Sequence, residues 1–213
     1  MRVAVFSDVH ANLPALETFV ADTRGRVDGY VCLGDVVNYG PWNDECLDVV
    51  VSLPGIVFIE GNHERLFLGT EAIADEHPLV QQFYAASIAR FTRRSLIENL
   101  ALQHDLGDFS CVHTIDHRRI YADTEVPVDG SYFIGHTHHA FDVTRKRNRI
   151  VNCGSIGQNR RRVDRLNYAL VDTGSGDVAL MERDYPVEIL ISEMKRLNYP
   201  RACLDYYYSK LPG

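Results

Sequence analysis

The sequence predicts an α/β protein built as a four-layer αββα sandwich, two β-sheets packed together with helices outside. Three observations predict it. The first sixty residues alternate short apolar, β-branched runs with helical spacing, in the order βαβαβ. Beyond residue 102 the chain turns to a series of short strands. The composition, 46% hydrophobic and 24% charged over 213 residues, suits one globular domain covering residues 1–213 with a core of its own.

Residues 2–7 read as a buried strand. Leu13, Leu16, Phe19 and Val20 recur at helical spacing, so residues 12–24 read as a helix, with Pro14 suited to its first turn. A strand over 30–33, a helix over 43–52 and a strand over 56–59 follow. Sequential strands joined this way form a parallel sheet. Residues 64–102 read as mostly helical. Strands are expected at 109–113, 132–134, 141–144, 150–152, 168–172 and 178–182, and a last helix at 187–197. Arg145, Lys146, Arg147 and Arg149 would flank a hairpin turn as solvated surface.

The formal net charge of -7 argues against a stable nucleic-acid complex, which needs a basic footprint, but not against a small phosphate-bearing substrate. Cys32, Cys46, Cys111, Cys153 and Cys203 are odd in number and widely spaced, without a CxxC. That pattern suggests no disulfide framework and a reducing compartment. The N-terminal run becomes polar too early for a signal peptide. No apolar run approaches the ~20 residues of a membrane span. The expected location is the cytoplasm, with no membrane partner; the oligomeric state is not encoded in any pattern visible here.

Metal-ligand residue types recur just after expected strands. Asp8 and His10 follow the first strand, Asp35 the second, and Asn62 and His63 the third. His113 ends a later strand, and His136 and His138 follow another. Ligand sites in open α/β sheets gather at the carboxyl ends of strands, so separate loops of one edge could bring these residues together. Imidazole and carboxylate suit Mn, Fe, Zn and Co, and the lack of thiolates argues against a structural zinc knot. Asp has two oxygens, so one Asp can bridge two cations. A lone DxH or HxH means little; the ordered set carries the weight.

Asp8-x-His10, Gly34-Asp35, Gly61-Asn62-His63-Glu64, His113 and Gly135-His136-Thr137-His138 resemble the motif series of the calcineurin-like metallophosphoesterase superfamily. Residues 34–41 and 151–158 are similar to its small bacterial and archaeal phosphodiesterase-like branch. The resemblance implies two mixed sheets flanked by helices. It implies a phosphoric ester hydrolase with two divalent metal ions, Mn²⁺ first, with Fe, Zn, Ni or Co as alternatives. Asp8, His10, Asp35 and His138 would hold one ion, and Asp35, Asn62, His113 and His136 the other. A metal-bridging hydroxide would attack phosphorus, His63 would protonate the leaving oxygen, and Glu64 would orient His63.

Protein phosphatases of the superfamily carry an Arg where this chain has Tyr39, which weighs against that activity. The favoured substrates are phosphodiesters or dinucleoside polyphosphates. Alternatives are a phosphomonoesterase, or a non-catalytic metal-binding scaffold, against which the retained His63 argues. Tyr39, Arg160 and Arg162 are the candidate substrate contacts, with Trp42 a further aromatic beside them. His77, His104, His117 and His139 read as surface or core histidines, the last two being the likelier exceptions because each neighbours a ligand loop.

Overall fold

The computed structural model describes residues 1–212. β1 (Arg2–Phe6), α1 (Leu13–Thr23), β2 (Gly29–Cys32), α2 (Asn43–Val51) and β3 (Ile56–Phe58) form the expected βαβαβ unit. α3 (Asn62–Leu68) and α4 (Pro78–Ile88) follow, with single 3₁₀ turns at Ile73–Asp75 and Arg94–Leu96. The region read as mostly helical is thus broken, first at Gly69, whose left-handed φ of 74° ends α3.

The remainder holds β4 (Gln103–Leu106), β5 (Phe109–Val112), β6 (Ser131–Ile134), β7 (Phe141–Arg145), β8 (Asn148–Asn152), β9 (Arg165–Asp172) and β10 (Asp177–Asp184), then α5 (Val187–Arg196) and α6 (Arg201–Tyr208). β4 and α6 escape the sequence reading. β4 carries one apolar residue in four, and the β-prone tyrosines of α6 conceal its helical period. The basic run does form a hairpin turn, with Lys146 at a φ of 57°.

Both sheets are mixed. The first has the order β10-β9-β1-β2-β3, with β1, β2 and β3 parallel and β9 antiparallel to β1. The second has the order β4-β5-β6-β8-β7, with β5, β6 and β8 parallel. The strand period of two divides the core. Val3, Val5, Ala169 and Val171 meet Phe109, Cys111, Phe133 and Val151 between the sheets. Ala4, Phe6, Tyr30, Cys32 and Tyr168 point the other way, against Leu16 and Phe19 of α1, Leu47 of α2 and Leu190 of α5.

On the second sheet, Ile134, Phe141 and Ile150 are covered by Ile115, Ile120 and Val126 from the connection between β5 and β6. The outer layer there is an irregular segment rather than a helix. All five cysteines are buried and unpaired, and among the described residues no helix is long and apolar enough to cross a membrane.

The carboxyl ends of β1, β2 and β3 are pressed together by their loops. Asp8 N–H donates to Gly34 O at 3.0 Å and Ala11 N–H to Val36 O at 2.8 Å. Gly34 has a φ of 96°, and a Cβ there would run into the backbone of Gly61. Gly34→Ala should therefore destabilise by the ~1–3 kcal/mol of a strained backbone plus the clash. For a chain of this size each kcal/mol lowers Tm by about 2–4 °C. Gly107→Ala is the control, since its φ of 59° is also left-handed but its surroundings are open. Equal melting temperatures for the two variants would show that close approach at Gly34 costs nothing.

Candidate metal centre

All seven proposed ligands come together at this edge, and the backbone is bent to bring them there. Asp8, His10, Asp35, His136 and His138 have φ of 56°, 50°, 57°, 65° and 59°. Non-glycine residues in this region cost roughly 1–3 kcal/mol each and persist only where the surroundings hold them. Here the loops brace one another. His10 N–H donates to Asp35 O at 3.0 Å, His136 N–H to Asp8 Oδ2 at 3.0 Å, and Gly157 N–H to Asp8 O at 3.0 Å.

The rings are oriented from behind. His10 Nδ1 lies 3.2 Å from Val37 O, His113 Nδ1 2.8 Å from Leu33 O and His138 Nδ1 2.8 Å from Gln158 O. A carbonyl only accepts, so each Nδ1 carries the hydrogen and each neutral ring presents a bare Nε2 to the site. The bare nitrogens of His10 and His138 stand 3.1 Å apart. His138 Nε2 is 3.1 Å from Asp8 Oδ1, a buried oxygen that accepts no hydrogen bond. This trio is the first group of donors.

The second group is Asp35, Asn62, His113 and His136. His113 Nε2 lies 3.3 Å from Asp35 Oδ2 and 3.0 Å from Asn62 Oδ1, which is also 3.0 Å from His136 Nδ1. Asp35 Oδ2 is 4.0 Å from His10 Nε2, so it stands between the two groups. Lone pairs crowded at these distances repel unless a cation sits among them. An orphaned carboxylate oxygen and all-N/O donors fit one or two divalent ions.

Electrostatics follow the same geometry. Burial raises Asp8 and Asp35, but neighbouring histidines, His138 for Asp8 and His113 for Asp35, more than offset it and hold both carboxyls well below their usual range. Burial lowers His136 and His138 to about 4, keeping them neutral as ligands must be. For His113 burial is outweighed by Asp35, which lifts it to about 9, so a cation must displace its proton.

His63 lies within reach of the first group's His10 and of Asp35, with its Nε2 3.8 Å from Asp35 Oδ2. Its tautomer separates it from the ligands. Asn38 Oδ1 accepts from Tyr39 N–H at 2.7 Å, so Asn38 Nδ2 is the atom that donates to His63 Nδ1, at 2.8 Å. The hydrogen of His63 then sits on Nε2, facing the site. Burial keeps the ring neutral, with a pKa of about 3.

The expectation that Glu64 orients His63 is corrected: Asn38 does so. Glu64 instead takes amide hydrogens from Asp35 and Val36, both at 2.7 Å, from Val37 at 3.3 Å and from Gly61 at 2.9 Å. It staples the Asp35 loop to the start of α3. Burial and the charge of Asp35 push it up to about 7 against the pull of those amides.

The donors open onto a cleft of about 560 Å³. Tyr39 lines it, its ring 4.5 Å from His10 and 5.1 Å from His63. Arg160 lines it too, bonded through Nη1 to the Tyr206 hydroxyl at 2.9 Å. Arg162 does not: it turns away to pair with Asp164, Nε to Oδ1 at 3.0 Å, beside a second and smaller recess. Trp42 packs outside the cleft, beside α5. His139 and, unexpectedly, His77 line the cleft, whereas His104 and His117 do not. Arg119, Tyr206 and Lys210 also line it and were missed. They lie far from every motif in sequence, and only Arg119, six residues after His113, carried any local signal.

Removing the staple should cost more than one hydrogen bond. Glu64→Ala leaves four buried amides without acceptors, each worth ~1–3 kcal/mol when unsatisfied. The variant should melt far below wild type, or fail to fold. A melting temperature unchanged in Glu64→Ala would contradict the role given to Glu64.

The profile of the calcineurin-like phosphoesterase superfamily domain matches residues 1–176. An uncharacterised protein of Methanocaldococcus jannaschii is 23% identical over 88% of this chain and 86% of its own. A metallophosphoesterase from Sphaerobacter thermophilus superposes with a TM-score of 0.79 at 24% identity, covering 99% of both chains. A hypothetical protein from Pyrococcus horikoshii OT3 does so with a TM-score of 0.82 at 17% identity, covering 97% of both. With the matched stretch spanning every donor loop, the chain belongs to the calcineurin-like phosphoesterase superfamily.

Proposed function

We propose that this protein hydrolyses phosphodiesters or dinucleoside polyphosphates with two divalent cations, manganese foremost, held by Asp8, His10, Asp35 and His138 and by Asp35, Asn62, His113 and His136. The observation that carries this reading is the convergence of ligand-type atoms from seven residues beside one ring, His63, whose hydrogen faces inward. When bound, the cations would supply an acidified water as nucleophile and neutralise charge on the phosphate oxygens.

The chain's own residues do the rest. Asp35 lies between the two donor groups and sets their spacing. His63 Nε2 would donate to the leaving oxygen from the protonated ring, which a phosphate anion entering the cleft favours and burial alone disfavours. In the neutral ring Asn38 holds the hydrogen on Nε2; protonation adds one on Nδ1, which the Asn38 amide must turn its oxygen to accept. Tyr39, buried against His10 and His63, walls the pocket. Arg160 faces the incoming phosphate, a role suited to a guanidinium. The five unpaired, buried cysteines suit a reducing compartment such as the cytoplasm.

Two outcomes are expected. Protein dialysed free of metal should be inactive, regain activity with Mn²⁺, and take up two equivalents by elemental analysis. Asp35→Asn should lower that stoichiometry; full uptake by the variant would remove Asp35 from the centre. His63→Ala should keep both ions yet lose ~10²–10⁴-fold in turnover on substrates with poor leaving groups. The loss should shrink on bis-p-nitrophenyl phosphate, whose leaving group needs no proton. Loss of metal in His63→Ala would make this ring a ligand instead of an acid.

A further inference from the structure

We infer that Arg160, Arg119 and, from the C-terminal segment, Lys210 build a second anion subsite in the cleft, which receives a non-scissile phosphate joined by an anhydride oxygen to the phosphate under attack. The inference rests on the hydrolytic reading above and narrows its substrate to nucleotides carrying a phosphoanhydride chain.

The argument starts from unpaired charge. On a chain of net charge -7, about half of the arginines hold carboxylates, among them Arg93 with Asp48, Arg149 with Asp142 and Arg165 with Glu182. Among the described residues, no carboxylate lies within salt-bridge distance of Arg160, Lys210 or Arg119, although all three line the metal cleft. Glu76 also lines the cleft, and it pairs with none of them. Cations left without counter-charge around one cleft form a standing attraction for an anion.

The wall is also held in place. Lys210 Nζ donates to the Arg160 carbonyl at 3.2 Å and lies 5.0 Å from the centre of the Tyr206 ring. The Arg160 guanidinium lies 5.7 Å from the same centre and donates to the Tyr206 hydroxyl. Tyr206 therefore serves as a platform that fixes two cations by ring contact and one hydrogen bond. On its other side the guanidinium neighbours the Tyr39 hydroxyl, and the Tyr39 ring touches His10 and His63. Tyr39 thus lies against both the Arg160 guanidinium and the donor-side rings. Positive charge in the same cleft suits the next phosphate of a chain better than a second ester group, which carries no added charge. Phosphate oxygens can take charge-assisted hydrogen bonds from an arginine and a lysine together.

The test compares diadenosine tetraphosphate with bis-p-nitrophenyl phosphate, both with Mn²⁺. Lys210→Ala should lower the ratio of kcat/KM for the polyphosphate over the diester about tenfold or more, equivalent to about 1.4 kcal/mol. Lys210→Arg should restore most of it. Arg161→Ala, an exposed neighbour outside the cleft, should leave the ratio within about twofold. A ratio unmoved by Lys210→Ala overturns the subsite. A second measurement is independent of turnover: calorimetric binding of inorganic tripolyphosphate to protein dialysed free of metal. Wild type should bind and Lys210→Ala should bind about tenfold more weakly; equal binding, or none by wild type, overturns the inference. If neither ester is hydrolysed while tripolyphosphate still binds in a Lys210-dependent way, the hydrolytic reading falls and the subsite stands.

Discussion

The imidazole nitrogens of His10 and His138 face each other across 3.1 Å, and in the neutral rings neither carries a hydrogen, because each Nδ1 gives its own to a backbone carbonyl. Asp8 Oδ1 adds a buried oxygen with no donor, and Asp35, Asn62 and His113 crowd together alongside, with a proton on His113 standing where a cation would. Such crowding is unfavourable in an isolated chain. It is tolerable because second-layer hydrogen bonds lock each ring, and because a cation turns the repulsion into coordination.

That constraint explains the backbone around it. Five of the seven donors sit in the left-handed region, where an ordinary side chain is strained. The strain is held by the parallel strands β1, β2 and β3, whose loops exchange hydrogen bonds at the carboxyl edge. Glu64 extends the bracing from α3 by taking the amides of the Asp35 loop. The β9 and β10 strands and the helices on the first sheet supply the apolar burial that stabilises this edge. The site is thus rigid where the donors stand, and the chain has left its adaptable, charged side chains to the cleft walls.

Those walls come from distant places. Tyr39 follows Asp35 by four residues, Arg119 comes from the segment covering the second sheet, and Tyr206 and Lys210 from α6 and the residues after it. α6 reaches the cleft because Cys203 and Tyr207 bury against the same core as α4 and α5. Packing of the terminal helix therefore positions groups that no local motif announces.

The donors were legible in the sequence because each follows a strand, and parallel strands place their carboxyl ends along one edge. Short apolar and β-branched runs likewise marked every strand but β4. Tertiary structure alone decided what the motifs do with their neighbours. Glu64 adjoins His63 in sequence, yet α3 turns its carboxylate onto backbone amides, and Asn38, twenty-five residues away, holds the ring instead. Arg160 and Arg162 look equivalent along the chain, but two residues apart in an extended turn they diverge, one into the cleft and one onto Asp164. Periodicity fixes which face of an element is buried; which side chains then meet across the cleft depends on how whole layers pack, and that is not written in any short stretch of residues.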